Sequence, residues 1–263
     1  TRVELLYLIN SWGRNQEFST IEFIIIPKCE ATQSEQTEFV RKECYDLSKL
    51  DTSEITDMSQ LFQFSEFNGD ISNWNVSNVT NMHRMFLGAS NFNQALNDWD
   101  VSNVTNMGGM FYLAIEFNQA LNNWDVSSVT NMNWLFAYAK EFNQALDNWD
   151  VSKVIDMGGM FLRADKFNQP LNSWDVLNVA NMNRMFAKAI NFNQALNDWD
   201  VSSVTDMHDM FRFATNFNQA LNSWNVSNVT RMSVMFSGAE KFNQAINNWN
   251  VSNVTDMSQM FED

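Results

Sequence analysis

The chain reads as an α/β solenoid: a stack of about nine 25-residue turns, each a short strand plus a short helix, behind an N-terminal cap. Three observations predict this. Tryptophan recurs every 25 residues without insertion, at Trp74, Trp99, Trp124, Trp149, Trp174, Trp199, Trp224 and Trp249. A fixed period of roughly 20–50 residues is the mark of a repeat architecture. Inside each unit the apolar residues change from alternate spacing to spacing by three and four. Residues 1–49, by contrast, do not follow the repeat.

The first segment, 1–49, is expected to cap the stack, since a first turn would otherwise expose its core. Residues 3–9 are apolar enough for a short helix or strand. Residues 18–27 read as a strand stopped by Pro27, and 38–47 carries charged and apolar residues at helical spacing. The two cysteines, Cys29 and Cys44, lie here. They form either one small loop-closing disulfide or two free thiols, and a single pair does not define a redox compartment.

The repeat domain, 50–263, opens with Leu50 at the tryptophan position. In the unit 92–116, Trp99 and Val101 stand two apart and share one face of an expected strand, with Asp100 and Ser102 on the other. Val104, Met107, Met110, Phe111 and Ala114 follow at a spacing that predicts one apolar helical face, with Ser102 or Thr105 as N-cap. The methionine columns are expected in the core. The chain stops midway through a turn, at Asp263, which suits an extended or assembled setting.

Composition narrows the function. There are 16 Lys+Arg against 31 Asp+Glu, a net charge of -15. Phosphate binding needs clustered Lys and Arg, so a nucleic-acid partner is not expected. No apolar run approaches the ~18 residues that cross a membrane. No phosphate-binding glycine loop appears, and the repeats hold no Cys for a zinc or nucleophile site.

Polar columns run through the repeat. The asparagine of "FN" recurs from Asn68 to Asn243 and is read as a ladder satisfying backbone groups at a bend. Aspartate follows tryptophan in the central turns, at Asp100, Asp125, Asp150, Asp175 and Asp200. Asn75, Asn225 and Asn250 take its place at the ends. Carboxylates stacked ~5 Å apart repel by about 1 kcal/mol in water. Five in a row are therefore hydrated, hydrogen-bonded to amides, or bridged by cations, and calcium takes such oxygen ligands. These five are the candidate calcium ligands. Glycosylation sequons arise at Asn75, Asn78, Asn103, Asn225, Asn228, Asn250 and Asn253 as by-products of the repeat.

The positions that break the repeat carry the individual information. Around the second methionine column stand Tyr112, Leu113, Trp134, Tyr138, Leu162 and Phe213. They are expected to face solvent, either as a partner-binding patch or as packing between adjacent turns.

The run "WDVSNVTNMGGMFYLAIEFNQAL", recurring across 50–263, resembles the BspA-like repeats, the 25- or 26-residue repeats of bacterial surface proteins. The resemblance implies a leucine-rich-repeat-like, right-handed stack and roles in adhesion or protein binding, without catalysis or a cofactor. It implies the cell surface or the extracellular space; an organellar or intracellular complex is the alternative. The expected function is a non-enzymatic protein-binding or assembly scaffold, adhesin-like or a peripheral subunit of a larger complex. The rival is a structural surface protein binding glycan or cations through its repeated strand face.

Overall fold

The computed structural model describes residues 47–262. The segment 1–46, with Cys29, Cys44 and the elements expected around them, lies outside the described residues. Among the described residues there is no α-helix and no strand. Regular structure consists of one 3₁₀ turn, Leu47–Lys49, and a single parallel bridge between each pair of turns, from Asp57↔Asn81 to Arg231↔Asp256. The expected α/β solenoid, leucine-rich-repeat-like and right-handed with a strand and a helix in every turn, is thereby overturned. The units do stack in parallel register, but through turns and bridges.

The run expected as a helix, 104–114, shows why. The amides of Met107, Gly109, Phe111 and Leu113 donate outward, to Asn131, Asn133, Leu135 and Ala137 of the next turn, at 2.7–3.0 Å. The amides of Met110, Tyr112 and Ala114 donate backward by three residues, to Met107, Gly109 and Phe111. An α-helix would need every amide to reach back four residues. Here the neighbouring turn always presents carbonyls at matching positions and captures alternate amides. The third residue of two of these turns must then enter the left-handed region, as in a type II turn: Gly109 at φ 62° and Leu113 at φ 61°. Spacing by three and four therefore reported successive tight turns, which bring the same residues to the same side.

The expected strand is likewise folded into bends. Val104 donates to the Val101 carbonyl, Trp99 to that of Leu96, and the Asp100 carboxylate accepts the Ser102 amide at 3.1 Å. This Asx turn uses the side chain to bend the backbone that a strand would keep straight.

The interior follows the apolar residues regardless of these corrections. Leu96, Val101, Val104, Met107, Met110, Phe111, Ala114 and Phe117 are almost wholly buried, and so is the tryptophan column apart from its last member, Trp249. Each large side chain withdrawn from water contributes about 1.5–3 kcal/mol. Like stacks on like. Trp124, Trp149, Trp174, Trp199, Trp224 and Trp249 lie nearly parallel with centroids 6.4–6.5 Å apart, so the rings are offset. Each indole N–H reaches a carbonyl of the preceding turn, for example Trp149 to Leu121 at 3.0 Å. A buried donor needs that acceptor. The asparagine ladder also forms: Asn118 Oδ1 accepts the Asn143 amide and the Gln144 side chain, at 3.0 and 2.9 Å.

This bonding pattern begins just inside the segment read as a cap. The Leu47 carbonyl accepts the Leu50 amide and the Trp74 indole, as the Ile71 carbonyl accepts the Trp74 amide and the Trp99 indole.

Candidate partner-binding ridge

Two outward positions in each turn have positive φ. One lies two residues after the first methionine, the other four residues further on. They run Gln60, Arg84, Gly109, Trp134, Gly159, Arg184, Asp209, Val234, Gln259 and Phe64, Gly88, Leu113, Tyr138, Arg163, Lys188, Phe213, Gly238. Glycine adopts this conformation freely; other residues lose about 1–2 kcal/mol each. The inter-turn hydrogen bonds hold them there. Side chains at these positions lean over the following turn. A Cβ on Gly159 would sit 3.0 Å from the Trp134 ring, and one on Gly238 would sit 2.2 Å from the Phe213 ring. Phe64 covers Gly88 in the same way. Gly88, Gly159 and Gly238 are thus each placed one turn after a large ring, for room as well as for conformation, while Gly109 follows Arg84.

The structure brings four of the six expected partner residues together. Tyr112 lies 5.9 Å from Trp134 and 5.8 Å from Tyr138, with the rings tilted. All three are half-buried and rest on a small floor of Ala137, Leu162 and Ala187, apart from the main core. Leu162 is itself buried, at 8% exposure. Leu113 is half-buried and not part of that cluster. Phe213 stands apart, in a later turn, and is 36% exposed.

Sequence reasoning missed the cations that continue this ridge. Arg163 lies over Tyr138, with 5.5 Å to the ring centroid. Lys188 and Arg212 flank Phe213 at 5.5 and 5.1 Å. Contacts of this kind contribute about 0.5–1 kcal/mol when exposed. The signal was available: these cations occupy the columns that supplied Tyr112, Leu113, Tyr138, Leu162 and Phe213.

A polar chain runs beneath them. Asp209 is buried, and its Oδ2 accepts from Arg184 Nε at 3.0 Å and lies 3.2 Å from His208 Nε2. Arg212 stands 3.8 Å from its Oδ1. His208 Nδ1 meets Ser233 Oγ at 2.9 Å. Ser233 in turn bonds Asp256, whose carboxyl falls to about 2, through the Ser258 hydroxyl first and Ser233 second. Serine, histidine and aspartate are adjacent, but Ser233 is 3% exposed. A nucleophile needs a route to its substrate, and this hydroxyl is enclosed by its own chain.

The five aspartates lie on another side. Each carboxylate accepts the amide two residues on: Ser102, Ser127, Ser152, Leu177 and Ser202, at 3.0–3.1 Å. The Ser102, Ser152 and Ser202 hydroxyls, then their amides, hold Asp100, Asp150 and Asp200 below the usual carboxylate range. Among the described residues no group of three or more His, Cys, Asp or Glu is disposed to hold a metal ion. The sequon asparagines Asn78, Asn103, Asn228 and Asn253 donate their side-chain amides to serine carbonyls of the previous turn. Among the described residues, no helix is long and apolar enough to cross a membrane.

The model of one family, described as "Mycoplasma protein of unknown function, DUF285", matches residues 31–133, 116–212 and 190–263. The three matches overlap and together run from 31 to 263, as a repeat would produce. No curated protein matches the chain.

Proposed function

The chain belongs to the family described as Mycoplasma protein of unknown function, DUF285, and from that premise we propose that it is a non-enzymatic scaffold that binds another protein through its outward ridge. The observation that carries this is the cluster of Tyr112, Trp134 and Tyr138, half-buried and separate from the main core. Aromatic side chains of this kind supply large contact area with little loss of freedom, and dominate interface energies.

The finer kinship, to BspA-like surface repeats, and the location at the cell surface are part of the same reading. They rest on the repeat "WDVSNVTNMGGMFYLAIEFNQAL" and on the family match. The absence of catalysis is likewise a proposal. It is favoured by Ser233 being enclosed and by the aspartates being committed to their own turns.

A double substitution, Trp134→Ala with Tyr138→Ala, is expected to abolish capture of the partner in a pull-down while leaving the melting temperature within a few degrees. Undiminished capture by the folded variant would refute the ridge as the binding surface.

A further inference from the structure

Four of the ten Lys and Arg in residues 50–263 stand on this ridge within three consecutive turns: Arg163, then Arg184 and Lys188, then Arg212. That concentration is notable in a chain of net charge -15. The guanidinium side chains of Arg184 and Arg212 remain 42% and 43% exposed although Asp209 lies beneath them. Buried Asp209 holds Arg184 from below through the Nε hydrogen bond, while Arg212 lies 3.8 Å from its other oxygen, so both guanidinium groups are drawn to one place with N–H groups left to face outward. The aromatic cluster of Tyr112, Trp134 and Tyr138 adjoins this cationic strip on the N-terminal side, where Arg163 touches Tyr138.

We propose that the ridge binds an extended acidic peptide segment, with an apolar residue seated on Tyr112, Trp134 and Tyr138 and alternate carboxylates paired with Arg163, Arg184, Lys188 and Arg212. This rests on the reading of the ridge as a protein-binding surface and adds the chemistry of the partner. The repeat sets the spacing. Equivalent phenylalanines of adjacent turns stand 5.8, 5.6 and 5.7 Å apart from Phe136 through Phe161 and Phe186 to Phe211. Alternate side chains of an extended strand are separated by roughly 6.6 Å. One carboxylate per turn therefore stays in register over three turns, within the reach of flexible Arg and Lys side chains. A long polyanion fits less well, because the rest of this acidic chain repels it.

The test is fluorescence anisotropy with the labelled peptide Leu-Phe-Ser-Glu-Ser-Glu-Ser-Glu. Saturable binding is expected, weakened about tenfold or more by Arg163→Glu with Lys188→Glu, and similarly when the peptide glutamates become glutamines. Both positions already carry an unbranched non-glycine side chain at positive φ, 54° and 58°, so glutamate demands no new backbone conformation, and circular dichroism checks that the variant is folded. Binding that the double charge reversal leaves unchanged would overturn the proposal, as would no saturable binding at all. Displacement of the probe by a short single-stranded RNA or a heparin oligosaccharide, at lower concentration than by unlabelled peptide, would also overturn it. The partner pull-down separates the two ideas. If Trp134→Ala with Tyr138→Ala loses the partner while the peptide never binds, the scaffold reading stands and the acidic-peptide assignment falls.

Discussion

The turns 107–114 and 207–214 share a backbone and differ outside it. Gly109 and Asp209 have φ of 62° and 60°, and Leu113 and Phe213 have 61° and 54°. Both turns send four amides to the next turn and return three within their own. One carries Gly108 and Gly109 outward; the other carries His208 and Asp209 with a buried ion network. The inner residues therefore specify the turn, and the outer residues are free to vary for other purposes. The conformational cost of positive φ is met in both turns by neighbours on either side.

The sharpest check is in the core. Phe111→Ala and Phe211→Ala should each cost about 3–5 kcal/mol, measured by urea denaturation, and the two losses should agree. A large disparity would show that the outer network reaches into the core and would break the equivalence of the turns.

Asp209→Ala should cost about 2 kcal/mol, because the Arg184 guanidinium loses its buried acceptor. Asp209→Gly recreates the backbone of Gly109 and should be less harmful than the alanine variant by roughly 1 kcal/mol. If glycine proves no better than alanine, the left-handed conformation is not strained here.

Smaller effects come from the positive-φ columns alone. Gly109→Ala should lose about 1 kcal/mol, and Val234→Gly should gain a comparable amount, since a β-branched residue at φ 63° is the least comfortable kind. Thermal melts of both variants would show opposite signs.

The smallest effect is on pH. The Asp256 carboxyl, ordinarily 3.8, is lowered to about 2 by Ser258 and Ser233. A lowered folded value means that its contribution is present above pH 3.8 and is lost as pH falls toward 2. Asp256→Asn should flatten the fall in melting temperature across that window by a small margin, because the group is exposed. An unchanged slope would remove Asp256 from the network.

Much of the interior was legible. The columns of Trp99, Val104, Met107, Phe111 and their equivalents are buried as their spacing implied, and Asn118 bonds the next turn as the repeated asparagine suggested. The local conformation was not legible from apolar spacing. Residues at three and four apart share a side in a helix and also in a run of tight turns. Glycines at 88, 109, 159 and 238 held the clue, since each sits at positive φ that no helix contains. The ridge was half legible. Its aromatics broke the repeat conspicuously, while Arg163, Lys188 and Arg212 looked like ordinary surface charges until the turns were stacked.

By itself, then, the 25-residue sequence determined the period, the inward set and the parallel register, because only identical units let like ring stack on like ring. Tertiary structure decided how each turn is bent. Half of the amides in the Met-to-Ala run find their acceptors in the following turn, and a hydrogen bond to a residue 23 or 24 positions away is invisible in any local pattern. It also decided what the outward residues do, since Trp134 and Gly159, or Arg184 and Asp209, become neighbours only when the turns lie against each other.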